Sequence, residues 1–267
     1  MGYAEAGEQP SDTVEAVDIP PGGTGRSGNR RPTLVIAGSE QRSLKQVAIF
    51  ASLSREARQR LEARCHWRSY RPGKEVVPFR GSATDVYFLI SGRARVIIHT
   101  SSGKDVTFRS LAPGDIFGEF AAIDGAPRSA SIEVLEPSLV ASLASWDFRN
   151  VIADEPGVAA ALLQHLTGEL RRLTERIFEF STLAVRNRIQ AELLRLAGGY
   201  APPRAEAVIR PLPTHSEIAS RISTHREAVS RELSRLSQIG LVARQGSDLV
   251  IKDLARLAKM VKEATGE

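Results

Sequence analysis

The chain has 267 residues, of which 42% are hydrophobic, 25% charged and 6% aromatic. That is ordinary globular composition, which excludes collagen-like, wholly disordered and all-coiled-coil chains and supplies apolar material for at least one sizeable core. The net charge of +5 is unevenly placed: 22 Lys and Arg balance 22 Asp and Glu up to Leu183, whereas 14 face 9 from Ala184 onward.

A basic excess confined to the last third is the footprint of a nucleic-acid-binding segment, with a membrane surface as the competing use of positive charge. No apolar run reaches about 18 residues and no signal-like pattern opens the chain, so a cytoplasmic protein with no membrane partner is expected. The single cysteine, Cys65, excludes an intramolecular disulfide framework, a cysteine-only iron–sulfur cluster and a cysteine-rich zinc site. His66, His99, His165, His215 and His225 show no paired ligand spacing, so no metal site is expected. No nucleophile with His and carboxylate spacing, no Walker loop and no GxGxxG occurs, so no catalytic residue and no catalytic cofactor are expected.

Residues 1–42, dominated by Gly, Pro, Ser, Glu and Arg, cannot bury enough surface to offset chain entropy and are expected to be a disordered extension. From Ser43 to about Arg68, Leu44, Val47, Phe50, Leu53 and Leu61 recur at roughly helical spacing, and SLSREARQRLEAR reads as a capped amphipathic helix. Beyond Tyr70 come short β-rich runs, VVPF, DVYFLI, ARVIIHT, DVTFRSL, ASIEVL and SLVASL. They are punctuated at Pro72-Gly73, Ser91-Gly92, Ser102-Gly103, Pro113-Gly114 and Asp124-Gly125. This texture predicts a compact β-sandwich or roll within residues 43–157.

The period changes at Val158. Leu162, Leu166, Leu170, Leu173, Ile177 and Phe180 are separated by 4, 4, 3, 4 and 3 residues, the heptad stripe of a dimerisation helix over 158–183. Arg171, Arg172, Glu175, Arg176 and Glu179 leave the other faces polar; the alternative is an amphipathic helix lying on its own domain. After Ala197 the stretch GGYAPPRAEAVIRPLPT is expected to hold no regular element. Ser216 to Ile222 and Thr224 to Gln238 then show helical spacing with Ile218, Ala219, Ile222, Val229, Leu233 and Leu236 inward, and Ser223 or Thr224 is the expected cap of the second helix. Gly240 stops that helix, and LVAR, QGSD and LVI form a hairpin, giving residues 184–267 the outline of a winged helix-turn-helix.

Two strings carry chemistry. In FGEFAAIDGAPRSAS, Gly118 lets the backbone approach a ligand, Arg128 offers a forked cation to a phosphate, Ser129 adds a hydroxyl, and Glu119 accepts from a sugar hydroxyl. The competing reading of Glu119 is a surface carboxylate paired with Arg128. In SEIASRISTHREAVSREL, Arg226, Glu227 and Arg231 lie at i, i+1 and i+5, so Glu227 and Arg231 share a face that suits guanine and cytosine edges; a solvated charged face is the alternative.

The first string resembles the phosphate-binding cassette of the cyclic-nucleotide-binding domain, and the second resembles the recognition helix of the cyclic-AMP receptor protein family of transcription regulators. Together the resemblances cover about residues 44–255. They imply an α+β chain with a β-roll, a long dimerisation helix and a C-terminal winged helix-turn-helix, acting as a homodimeric regulator controlled by cyclic AMP or cyclic GMP. Gly118 and Ser129 then look like phosphate contacts, Arg128 the phosphate cation, and Glu119 the ribose acceptor. Thr174 is the hydroxyl that would reach the purine, from its own or the second subunit, where relatives carry two adjacent hydroxyls. Ser223, Thr224, His225, Arg226, Glu227 and Arg231 look like contacts to double-stranded DNA. RNA polymerase is the expected further partner, through the loop from Gly198 to Arg210. The rival expectation is a regulator of the same fold whose pocket is vestigial or takes another ligand.

Overall fold

The computed structural model describes residues 42–99, 105–198 and 205–266. The expected disordered extension, apart from Arg42, lies outside these residues, as do the Ser102-Gly103 turn and the centre of the Gly198–Arg210 loop.

A 3₁₀ turn at Ala48–Phe50 precedes α1 (Arg55–Glu62), whose first turn is closed by Ser54 accepting from the Ala57 N–H at 3.1 Å. The capped helix therefore forms where the pattern puts it. It does not continue to Arg68: His66–Tyr70 is a strand, β1, paired antiparallel with β8 (Ser138–Leu143). β1 escapes a pattern search because it is a largely exposed edge strand without an apolar alternation.

The other roll strands are β2 (Glu75–Val77), β3 (Val86–Ser91), β4 (Ala94–His99), β5 (Asp105–Leu111), β6 (Ile116–Phe117) and β7 (Ser131–Val134). Two antiparallel four-stranded sheets result, ordered β1-β8-β3-β6 and β2-β7-β4-β5. Alternation decides what each side chain meets. Val86, Phe88 and Ile90 of β3, with Leu139, Ala141 and Leu143 of β8, pack outward against Phe50, Leu61 and the helices that follow. Leu89 and Val140 point the other way, into a second core with Val77, Ala94, Leu111, Phe117 and Ile132 between the sheets. Phe50 and Phe88 meet edge to face at 5.1 Å, and each buried ring contributes about 1.5–3 kcal/mol. Cys65 is buried in the outer core, and burial first, then Glu62 and Asp147, push its thiol up to about 12.

Between β6 and β7 lies α2 (Glu119–Asp124), a short helix bounded by Gly118 and Gly125 in left-handed backbone. After β8 come α3 (Ser145–Asp154) and α4 (Pro156–Thr182), the latter opened by proline at its first position and, at 27 residues, about 40 Å long. The expected seam on α4 divides between two faces. Leu162, only 5% exposed, sits with Val158 in the outer core of the roll, and Leu166 packs partly against it, so these two belong to their own domain as the alternative reading had it. Further along, Leu170 and Ile177 are 65% and 66% exposed, with Leu173, Phe178 and Phe180 also open; two turns before Leu170, Leu163 is exposed as well.

α5 (Val185–Leu196) turns off α4 at Leu183–Ala184 and is tied back to it. Glu192 of α5, almost wholly buried, is shared by Arg176 at 3.0 Å, Arg221 at 3.4 Å and Arg195, while Arg195 also reaches Glu179 at 2.6 Å.

The C-terminal region then runs β9 (Ala207–Ile209), α6 (His215–Arg221), α7 (Arg226–Gln238), β10 (Val242–Gln245), β11 (Asp248–Ile251) and α8 (Leu254–Thr265). β9 corrects the expectation of an irregular stretch. Its three residues lie between prolines and pair with β11, so the wing is a three-stranded sheet, β10-β11-β9. α8 closes the core beyond the wing with Leu254 and Leu257. No helix among the described residues is long and apolar enough to cross a membrane.

Candidate functional site

The cassette is built by backbone first. Gly118 has φ +75°, and a Cβ there would lie 2.6 Å from Arg128 Nη1 and 3.2 Å from the Asp85 carbonyl, so both conformation and space demand glycine. Arg128 is anchored through its main chain to the Arg80-Gly81 turn, donating to the Gly81 carbonyl at 3.1 Å and accepting from Arg80 N–H at 2.9 Å. The residue is only 3% exposed, and its guanidinium donates from Nη1 to the Gly118 carbonyl at 2.8 Å and from Nη2 to the Asp85 carbonyl at 2.7 Å. It also lies 5.4 Å from the centre of the Tyr87 ring, which stacks on Phe117. Nε has no partner, and no carboxylate pairs with Arg128 among the described residues.

These groups wall a cavity of about 310 Å3, within the usual range for small-molecule sites. Its apolar sides come from Val77, Val96, Leu111 and Ile132 between the strands. Gly118, Glu119, Arg128 and Ser129 line it at the cassette, and Glu169, Arg172 and Leu173 of α4 line it opposite, with Arg109 of β5. Glu119, 7% exposed, begins α2; burial pushes its carboxyl above the ordinary range, while its own backbone N–H, Arg109 and Arg128 oppose that shift. It is thus not the surface carboxylate of the competing reading. Arg109 bridges Glu169 at 2.9 Å and Asp115 at 3.2 Å, and Arg172 pairs with Glu169.

The cavity therefore brings together Gly118, Glu119, Arg128 and Ser129, and adds Arg109, Glu169 and Arg172, which sequence reasoning did not assign. Arg109 stands in an otherwise strand-like run, and only the pairing of β5 with α4 gives it a role. Thr174 is absent from the lining. Its hydroxyl donates to the Leu170 carbonyl at 2.9 Å and its side chain is exposed, because α4 turns Leu173 and not Thr174 toward the cavity. Thr174, expected at the purine, is thus outside the cavity lining of its own subunit.

A second surface lies on the helix-turn-helix. Thr214 and Glu217 form a capping box on α6, and Ser223, with φ +51°, turns the chain into α7. Neither Ser223 nor Thr224 caps α7: His225 occupies the cap position and makes no side-chain cap bond, and the Thr224 N–H donates back to the Ala219 carbonyl at 2.9 Å. Val229, Leu233 and Leu236 bury one face of α7, and Glu232 is held there by Gln190 and Arg235. Glu227 and Arg231 on the opposite face, and Arg226 at the start of the helix, are exposed and engage no ion pair or side-chain hydrogen bond among the described residues. His215 on α6 contacts Ser230 of α7 at 2.7 Å, and burial, Arg244 of the wing and Arg226 lower its pKa, in that order.

Comparison with known proteins places both surfaces. Residues 67–155 match the cyclic nucleotide-binding domain family and residues 187–260 the Crp-like helix-turn-helix domain family. The cyclic AMP receptor protein of Thermus thermophilus is 30% identical over 193 residues, 72% of this chain and 87% of that protein. The chain belongs to the cyclic-AMP receptor protein family. Another member of the family, the CRP-like cAMP-activated global transcriptional regulator of Mycobacterium tuberculosis, is 27% identical over 178 residues, 66% of this chain and 80% of that protein. A CooA variant from Carboxydothermus hydrogenoformans has the same fold, with TM-score 0.69 at 22% identity, covering 83% of this chain and 98% of that one. As a member of the family, the chain carries the sequence and fold of a cyclic-nucleotide-binding, DNA-binding regulator of transcription: a roll, a long helix and a winged helix-turn-helix.

Proposed function

We propose that the chain is a homodimeric transcription regulator that binds cyclic AMP or cyclic GMP in the roll and, in response, sets two recognition helices on a palindromic DNA site. The observation that carries this reading is Arg128, a buried cation at a cavity wall, held by two carbonyls and an aromatic ring and in ion-pair contact with no carboxylate among the described residues. A guanidinium so placed favours an anion beside it, because an uncompensated buried charge is costly. In this reading the cyclic phosphate meets Arg128, the Gly118 backbone and the Ser129 hydroxyl, and Glu119 accepts from the ribose 2′-hydroxyl. Thr174, exposed beside Leu173, contacts the purine held by the second subunit.

The roll over 43–157 senses, the helix over 158–183 joins two copies, and residues 184–267 bind DNA. The exposed stripe of Leu170, Leu173, Ile177 and Phe180 supports the dimer, with Leu163 in place of Leu162. Arg226, Glu227 and Arg231 read base edges in the major groove, with Ser223, Thr224 and His225 at its approach. Half-sites then lie about one helical turn, roughly 34 Å, apart. The protein acts in the cytoplasm, by binding and without catalysis, and RNA polymerase is the partner proposed for the loop between Gly198 and Arg210.

Calorimetric titration with cyclic AMP and, in parallel, cyclic GMP tests the sensor: one nucleotide per subunit at micromolar affinity is expected. A second reading is favoured by the two carbonyl bonds of Arg128, one from each terminal nitrogen, as a purely structural arginine would make. Absence of heat with either nucleotide, in folded dimeric protein, would establish that second reading and a reassigned pocket.

A further inference from the structure

β5 is the last strand of its sheet, so its outer edge presents backbone groups with no strand beside them, and such edges are normally covered. Here the cover is α6. The Ser220 hydroxyl donates to the Asp105 carbonyl at 2.6 Å and accepts from the Thr107 N–H at 3.1 Å, with the Thr107 hydroxyl 2.9 Å away. A single side chain thus stands in for the missing ladder partner. Next to it, Arg221 Nη2 donates to the Ser110 hydroxyl at 2.7 Å, and the Arg221 carbonyl accepts from Arg176 of α4.

The same two elements wall the cavity of the roll. β5 gives Phe108, Arg109 and Leu111 to the cavity and Asp105, Thr107 and Ser110 to α6; α4 gives Arg172 to the cavity and Arg176, one turn later, to Arg221. Phe108, Arg109 and Arg172 also border a second space of about 110 Å3 that Arg176 and Arg221 line as well.

We propose that the clasp of Ser220 and Arg221 on the edge of β5 is the linkage through which occupancy of the roll cavity sets the position of the recognition helix. The inference rests on the nucleotide-responsive reading above and names how its two sites communicate. A ligand that engages Arg109 or Arg172 displaces β5 and α4, and hydrogen bonds of 2.6–3.1 Å do not survive shifts approaching an ångström. α6 and α7 share one core through Ile218, Ile222, Val229 and Leu233, so a change at Ser220 carries α7 with it. Because Arg226, Glu227 and Arg231 stay exposed with the clasp closed, the clasp governs placement and not access.

The test uses the full chain and a duplex recovered by site selection with the wild-type protein. Hydrogen exchange comes first: Ser220→Ala should speed exchange of the Thr107 amide, and unchanged exchange there would overturn the clasp. DNA affinity is then measured with and without cyclic AMP, and with and without cyclic GMP. The factor by which the effective nucleotide changes DNA affinity should fall toward one by about fivefold or more in Ser220→Ala, with a smaller loss in Thr107→Val. That factor is a ratio taken within one variant, so a general loss of stability does not mimic it. A wild-type chain whose DNA affinity ignores both nucleotides overturns the regulatory reading and the clasp together. A wild-type effect preserved in full in Ser220→Ala overturns the clasp alone.

Discussion

The roll and the helix-turn-helix present their arginines in opposite states. Arg128 is stripped of water by folding and held by carbonyls, whereas Arg226 and Arg231 stand exposed on α7 with no hydrogen-bond or ion-pair partner among the described residues. The contrast separates two kinds of recognition. A desolvated cation rewards an anion placed within a few tenths of an ångström and is screened little by salt. Exposed cations attract any phosphate backbone through a salt-sensitive term and discriminate only where they meet base edges.

The sharpest way to break this contrast is Arg128→Leu. Nucleotide affinity should fall by roughly two orders of magnitude or more, in line with about 3–5 kcal/mol for removing one side of a buried charged contact, while basal DNA binding persists. A titration showing wild-type affinity would remove the cassette from the site. Next in size are two leucines on one helix. Leu162→Ala should destabilise the roll by about 2–5 kcal/mol in chemical denaturation and leave the dimer intact, whereas Leu170→Glu should leave the melting of the roll unchanged and yield monomers in sedimentation. The reverse pattern would restore Leu162 to the seam.

On the exposed side, Glu227→Ala should relax base preference at one position by about 1–3 kcal/mol in a binding-site selection, and Arg231→Ala should reduce the salt slope of DNA binding by about one. A selected motif identical to that of the wild type would reduce this face to backbone attraction. The smallest effect concerns Glu119. Its folded pKa lies above the unfolded value, so its contribution to stability is present at low pH and is lost as pH rises through the folded value. The carboxylate needed to accept a ribose hydroxyl appears over that same interval. Nucleotide affinity should therefore rise with pH just above the ordinary carboxylate range, and Glu119→Gln should flatten the rise in titrations across that window.

Much of this was legible in the sequence. Six strands announced themselves because apolar runs were bracketed by Gly turns, and FGE with PRSA named the cassette before any geometry was known. What was missed has physical reasons. β1 and β9 are short or exposed and owe their existence to partners far away in sequence, β8 and β11. The stripe Leu254, Leu257 and Val261 of α8 is readable as a helix, but lies beyond the wing where the expected outline ended. Helical spacing alone could not divide the two apolar faces of α4: Leu162 and Leu170 belong to one run of leucines spaced by four, yet one is inside the roll and the other outside. Arg109 and Arg172 gained their place in the cavity only when β5 and α4 came together.

The buried carboxylate of Glu192 has a mechanical meaning. The bend at Leu183–Ala184 looks like a joint, yet it is splinted: Arg176 before it and Arg221 after it grip one carboxylate, and Arg195 ties that carboxylate to Glu179. Three helices fastened at one point turn as a bell-crank, with the last turns of α4 as one arm and α6 as the other. In the proposed dimer, a rotation of the two α4 helices about one another would therefore be delivered at the DNA as a swing of the whole winged head, its angle undiminished by slack at the elbow.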